Sequence, residues 1–156
     1  MQVRLQMAGH RDLPLVLKYV RAYHEFEGIE DSKDVTSSLR PLLGQSQFGR
    51  IWLIKNASRA VGYVAICFGY SIEFAGRDAF IDEMFIVPQQ RARGIGKAAL
   101  QLLKNEAAAL GIRALHLEVA RSNEAAKRLY RSAGFEAREQ FFLMSSRTSG
   151  ATSDTV

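Results

Sequence analysis

The stretch Phe85-Ile86-Val87-Pro88-Gln89-Gln90-Arg91-Ala92-Arg93-Gly94-Ile95-Gly96-Lys97 decides how this chain is read. An apolar run ends at Pro88, two arginines follow, and Gly94-Ile95-Gly96 opens a long helix-like segment. Glycine has no Cβ, so a ligand can approach its backbone closely. The first N–H groups of a helix have no intrahelical partner, and the helix dipole favours an anion beside them. Arg91, Arg93 and Lys97 add positive charge. A strand-to-helix turn of this composition predicts a pyrophosphate cradle.

The spacing narrows the choice of nucleotide. A P-loop needs Gly where Arg91 stands and Ser or Thr where Ala98 stands. Gly94-Ile95-Gly96-Lys97-Ala98-Ala99 does fit the dinucleotide fingerprint G-x-G-x-x-A, and Glu118 follows about 20 residues on. That motif, however, opens directly from its strand, whereas Pro88 to Arg93 separate Val87 from Gly94 here. Too few strands and helices follow for a doubly wound sheet.

A second set of residues points elsewhere. Arg91-x-x-Gly94-x-Gly96 resembles the Q/R-x-x-G-x-G/A signature of the GNAT superfamily of N-acetyltransferases. Asn123-Glu124-Ala125-Ala126-Lys127-Arg128-Leu129-Tyr130 is similar to that family's N-x-x-A-x-x-x-Y segment, and Ala133-Gly134-Phe135 to its G-F turn. The resemblance spans residues 80 to 135, with three elements in order and at the right spacing.

Composition fits one compact α/β domain over residues 1–146, with a small, polar and disordered tail at 147–156. The apolar fraction is 47% and no apolar run approaches the ~18 residues of a membrane span. There is no signal-peptide h-region. The single cysteine, Cys67, lies in an apolar strand; it excludes an internal disulfide and fits a reducing, cytoplasmic compartment. Net charge is +5, concentrated between Arg91 and Arg138, with no basic run interleaved with aromatics. An anionic small cofactor explains that excess better than nucleic acid.

The pattern predicts strands at Val3–Met7, Arg50–Lys55, Val61–Tyr70, Asp78–Val87, Ala114–Val119 and Gln140–Ser145, with a further one possible at Phe135–Arg138. Asn56-Ala57-Ser58-Arg59 reads as a hairpin turn. Helices are expected after a cap at Asp12, with Leu13, Val16, Leu17, Val20 and Tyr23 as the apolar face, and from Thr36 to Leu43 before Gly44. Two more are expected from Ile95 to Leu110 before Gly111, and from a cap at Ser122 to Ala133 before Gly134. This order resembles the GNAT fold. The resemblance implies a central mixed sheet of six to seven strands, splayed between the fourth and fifth and flanked by about four helices.

The family likeness also implies the chemistry. Acetyl-CoA would enter the splayed cleft, with its pantetheine arm on the backbone of Met84, Phe85 and Ile86. Its pyrophosphate would lie on Arg91, Ala92, Arg93, Gly94, Ile95, Gly96 and Lys97, with Asn123, Ala126 and Tyr130 contributing from the last helix. Many members carry Gly where Ala92 stands, and the loop is expected not to need φ > 0 there. Gly96 is expected to face the pyrophosphate. Backbone N–H groups near a bulge in the fourth strand would face the thioester carbonyl. Tyr130 would protonate the leaving thiolate; packing under Leu129 and Phe135 is the plainer reading of the same residue.

Asp82 and Glu83 sit side by side in the apolar strand Phe80–Val87, and strand neighbours face opposite sides. Burial would raise the pKa of one of them toward that of a general base. Glu83 is the choice by resemblance; Asp82 is the alternative, as base or as ligand to the substrate amine. A purely structural reading has one exposed and the other paired with an arginine such as Arg77.

The acceptor must be read from the front of the chain. His24-Glu25-Phe26-Glu27-Gly28-Ile29-Glu30-Asp31 is acidic in a basic protein, and Glu25 and Glu27 would attract a cationic amine. Tyr70-Ser71 and Gly76-Arg77 resemble the polyamine and thialysine branch, which adds Tyr70 to the substrate candidates. His24 reads as a surface or packing histidine, and no metal-ligand spacing surrounds it. The resemblance thus implies an N-acetyltransferase for a small-molecule amine, working as a homodimer without nucleic acid, membrane or metal. Protein acetylation and a non-catalytic acyl-CoA-binding domain are the alternatives.

Overall fold

The computed structural model describes residues 1–31 and 34–148. The expected tail at 147–156 therefore falls almost wholly outside the described residues. The sheet has five strands in the order of the chain: β1 (Val3–Met7), β2 (Gly49–Asn56), β3 (Arg59–Ser71), β4 (Gly76–Ile86) and β5 (Ala114–His116). The first four pair antiparallel, and β5 joins β4 parallel. Among the described residues there are four α-helices: α1 (Leu13–Glu27), α2 (Val35–Leu39), α3 (Ile95–Ala109) and α4 (Glu124–Ser132). The parallel pair needs a crossover, and α3 provides it.

Side-chain alternation builds a core on each face of the sheet. Ile51, Leu53, Tyr63 and Ala65 pack with Val16 and Val20 of α1. Trp52, Ile54, Val64 and Ile66 pack with Ile95, Leu100 and Leu103 of α3. Strands β2 and β3 are thus buried on both sides, which is why they read as continuous apolar runs.

Strand β4 carries an irregularity that positions the site. Its register against β3 runs Ile66↔Ile81 and then Ala65↔Glu83, so Asp82 is the extra residue of a bulge. A one-residue slip swaps the faces of a strand. Before the bulge, Ala79 and Ile81 lie on the α3 side; after it, Met84 and Ile86 lie there and Phe85 joins the α1 side. Glu83 therefore turns toward α1.

The structure corrects several sequence expectations. Strand β5 stops at His116 rather than Val119, because its ladder with β4 ends at Phe80↔His116. Neither Phe135–Arg138 nor Gln140–Ser145 forms a strand. A three-residue β5 offers too short an edge to template a sixth, and Phe141, Phe142, Leu143 and Met144 are left exposed. Helix α2 gives way to a 3-10 turn at Arg40–Leu42, where Pro41 has no N–H to donate. Asp12 stands at the N-cap position of α1 but makes no side-chain cap bond; its carboxylate accepts from Gly9 N–H at 2.9 Å instead. The cap of α4 is Asn123, not Ser122, through an Ala126 N–H to Asn123 Oδ1 bond of 3.1 Å.

Candidate active site

Past Phe80↔His116 the sheet splays, and the far edge of β4 is left open. Val87 N–H donates back to Val61 on β3. Alternation then turns the N–H and C=O groups of Met84 and Ile86 to the open edge, where an amide-bearing ligand can pair with them. A cavity of about 590 Å³ lies on the β5 side of the split, lined by Phe80, Leu117, Val119, Lys127, Tyr130 and Phe135 among others. Gly94 and Met84 do not line it.

The turn from β4 to α3 has the properties of an anion cradle. The first bond of α3 runs from Ala98 N–H to Gly94 C=O, and the N–H groups of residues 92 to 97 meet no acceptor among the described residues. Gly94 is left-handed at φ 79°, and so is Ala92 at φ 56°. The expectation that Ala92 avoids φ > 0 is therefore wrong: the turn places both Ala92 and Gly94 in the left-handed region. Arg93 and Lys97 are exposed at the mouth. Free N–H groups around two positive-φ residues at a helix start fit the pyrophosphate of acetyl-CoA.

Two residues of the turn have other tasks. Arg91 Nε donates to the Ile86 carbonyl at 2.8 Å, and its guanidinium lies over the rings of Phe26 and Phe85 at 4.7 and 5.3 Å. Its side chain ties α1 to β4 instead of turning to the cradle, and it occupies one of the open-edge carbonyls. Gly96 is buried, and a Cβ there would come within 3.0 Å of Leu129 Cδ2 and 3.5 Å of Ile86 Cδ1. This glycine lets α4 approach α3: a side chain there would point at Leu129 and not out of the turn, while the backbone N–H of Gly96 stays free. Ala126 and Tyr130 are half-buried on α4, and Asn123 spends its side-chain oxygen on the cap of that helix.

Glu83 is the centre of a polar chain between β4 and α1 and, like Met84, does not line the cavity on the β5 side. Tyr63 is fully buried in the core and donates its hydroxyl to Glu83 Oε1 at 2.9 Å. His24 Nε2 lies 2.5 Å from Glu83 Oε2, and His24 Nδ1 pairs with Asp31. The imidazole thus bridges two carboxylates, which corrects the reading of His24 as a surface or packing residue. Burial pushes the Glu83 pKa up from 4.5; the bonds from His24 and Tyr63 only partly offset it. For His24 burial alone would lower the pKa, but its two carboxylate partners together outweigh burial and hold it above 6.5.

Tyr23 feels the charge of Glu83, and Tyr130 lies close enough to Tyr23 to raise its pKa in turn. Tyr23 is raised above its usual 10.0 by burial first, and then by the charges of Glu27, Glu83 and Asp82. Tyr130 is raised by burial and then by Glu27, and packs edge-on to Phe135 at 5.9 Å. Both stay protonated at neutral pH. Tyr23 entered the sequence reading only as part of an apolar face. Its signal was Glu27 one helical turn on, the i, i+4 neighbour.

Of the four acceptor candidates, Asp82 and Glu27 are exposed, and the charge of each helps to keep Tyr23 protonated. Glu25 is exposed too, but stands about 200° around α1 from Glu27. Tyr70 pairs with Arg77 while Glu83 pairs with Ala65, so Tyr70 lies roughly 17 Å along the hairpin. It is 77% exposed and is not gathered into the site. Arg77, the imagined carboxylate partner, instead donates to Leu110 C=O at 2.8 Å and lies over Phe68.

A splayed mixed sheet, a bulged fourth strand and a nest of free N–H groups at α3 define an acyl-CoA transferase scaffold. The chain belongs to the acetyltransferase (GNAT) family, whose model matches residues 17–135. It is 32% identical over 106 residues to the Bacillus subtilis (strain 168) protein "Uncharacterized N-acetyltransferase YycN", covering 67% of each chain. An integron cassette protein from the mobile metagenome of Cole Harbour Salt Marsh shares the fold with a TM-score of 0.79 and 32% identity, over 94% of this chain and 91% of that one. A predicted acetyltransferase of Clostridium acetobutylicum, solved with acetyl-CoA, has a TM-score of 0.73 at 21% identity, over 92% and 96%. The protein is an acetyl-transferring enzyme of a family that uses acetyl-CoA. Among the described residues, no helix is long and apolar enough to cross a membrane, and no group of His, Cys, Asp and Glu could hold a metal.

Proposed function

We propose that this chain is an acetyl-CoA-dependent N-acetyltransferase that acts on a small cationic amine by direct attack in a ternary complex. The observation that carries this reading is Glu83, a half-buried carboxylate turned toward α1 by the bulge at Asp82, with its pKa raised by burial. Backbone of residues 92 to 97, with Arg93 and Lys97, holds the pyrophosphate. The open edge at Met84 and Ile86 holds the pantetheine amides. Acetyl-CoA supplies the acetyl thioester.

The chain's own groups handle the protons. An amine arrives as an ammonium ion, drawn by Asp82 and Glu27. Glu83 takes the proton from its nitrogen at an Oε atom; a carboxylate raised toward neutrality does so more readily than an ordinary one. The Tyr130 hydroxyl has no hydrogen-bond partner among the described residues and stays protonated, so it can donate to the departing sulfur. Tyr23 stands on the other flank as a second donor or as an orienting group for the amine.

The test is thiol release from acetyl-CoA with spermidine, lysine, thialysine, an aminoglycoside and a histone-like peptide. Turnover is expected with one of the small cations. Turnover with the peptide alone would move the acceptor to protein. Silence across the panel, with acetyl-CoA still bound in a calorimeter, would overturn the acceptor class.

A further inference from the structure

We propose that His24 is a positioning residue for this reaction: held between Asp31 and Glu83, its imidazolium fixes the Glu83 carboxylate and sets the pH above which that carboxylate is ionised. The inference rests on the reading of Glu83 as the base.

The geometry is that of a three-part relay in which a histidine takes its orientation from the second carboxylate. His24 and Glu83 are far apart in sequence, on α1 and on β4, and the bulge at Asp82 brings Glu83 to the α1 side. Asp31 is reached because α1 ends in a left-handed Gly28, at φ 68°, and Ile29 N–H returns to His24 C=O at 2.9 Å. The loop after the helix folds back and lays Asp31 on Nδ1. The three side chains grade from 14% exposure at His24 and 16% at Glu83 to 39% at Asp31. The inner pair is thus shielded and the outer carboxylate meets solvent.

The sign of the effect follows from the neighbours. Tyr63 from β3 donates to Glu83, while Asp82 on β4 opposes its ionisation. Tyr23 and Glu27 of α1, Cys67 of β3 and Tyr130 of α4 are further titratable groups around the site among the described residues. His24 is the cation bonded to Glu83, and among the described residues it is the group that favours the carboxylate by charge. An imidazolium lowers the pKa of the base it touches; a neutral glutamine keeps the shape and loses the charge. Asp31 acts one step out, by keeping His24 protonated.

The experiment is the pH dependence of kcat/KM for the wild-type chain, His24→Gln, Asp31→Asn and Glu83→Gln. It is joined to an NMR titration of the three histidines of the chain. His24→Gln should move the acid limb up by about one pH unit, an about tenfold loss below the limb, with acetyl-CoA affinity unchanged. Asp31→Asn should move it the same way by less. In the titration, His24 should have a pKa above 6.5 in the wild type and a lower one in Glu83→Gln. An unmoved limb in His24→Gln, or a His24 pKa at or below 6.5, would overturn the inference. If His24→Gln does not fold, Asp31→Asn and the titration decide alone. Full turnover in Glu83→Gln would instead remove the base assignment itself, and so tells the two failures apart.

Discussion

Ala92 and Gly94 make a matched pair of substitutions with opposite expected signs. Ala92 is exposed and left-handed at φ 56°. A left-handed backbone costs an L-residue roughly 1–2 kcal/mol. Ala92→Gly removes that cost, and loses about 0.4–1 kcal/mol because the unfolded chain gains freedom. About 0.5–1 kcal/mol should remain in favour of the variant, or a rise in Tm of about 1–4 °C for a chain of this size. Gly94→Ala runs the same sum backwards at φ 79°. Its new Cβ would meet only Met1, at 3.8 Å, which is ordinary contact. It should lose about 0.5–1 kcal/mol. Urea midpoints with a common slope are the assay, and the Ala92→Gly chain should bind acetyl-CoA as the parent does, since glycine keeps φ positive. A lower midpoint for Ala92→Gly, or a higher one for Gly94→Ala, would refute the claim that this turn holds strained backbone.

Gly96→Ala should cost stability, because overpacking against Leu129 costs about 1–3 kcal/mol and helix propensity returns about 1 at most; Gly96→Asp should unfold the α3–α4 contact, seen as a large drop in Tm without ligand present. Tyr63→Phe removes a bond to a carboxylate, so stability at neutral pH should fall by about 1–3 kcal/mol and the acid limb of kcat/KM should rise; an unchanged limb would count against the bond. Tyr130→Phe should lower kcat and leave acetyl-CoA affinity nearly intact, and an equal kcat would remove it as the proton donor. The pKa of His24 is raised by folding, so its stabilisation is complete below 6.5 and is lost as pH climbs through the higher folded value. Tm should fall across that window in the wild type, and the fall should be missing from His24→Gln.

Local signals carried the parts of this fold that are local. The turn at Arg91–Lys97, the helix that follows and the Asn123–Tyr130 segment depend on glycine, charge and 3.6-residue spacing, and each stands where those features put it. A bulge in the fourth strand was implied by the family likeness, but its place at Asp82 was illegible, because it exists only as a register between β3 and β4. With it went the reason that Glu83, and not Asp82, faces α1. His24 was missed for a similar cause: its partners lie 7 and 59 residues away, the first past the end of α1 at Gly28 and the second on another element, so no single period links them. Its one cue was Asp31 beyond a glycine stop. The role of Gly96 was misread because a glycine at a helix start serves ligand approach and helix packing equally well in sequence. The missing strands near the C-terminus have suitable residues, but pairing needs an edge, and a three-residue β5 does not give one.

The most direct measurement is a single-turnover experiment with acetyl-labelled acetyl-CoA and the best small amine, comparing the wild-type chain with Glu83→Gln at neutral pH. The account predicts N-acetylated product from the wild type and a rate lower by about 10²–10⁴ in the variant, the usual contribution of a general base. Equal rates from the two chains, with acetyl-CoA bound equally well, would contradict it.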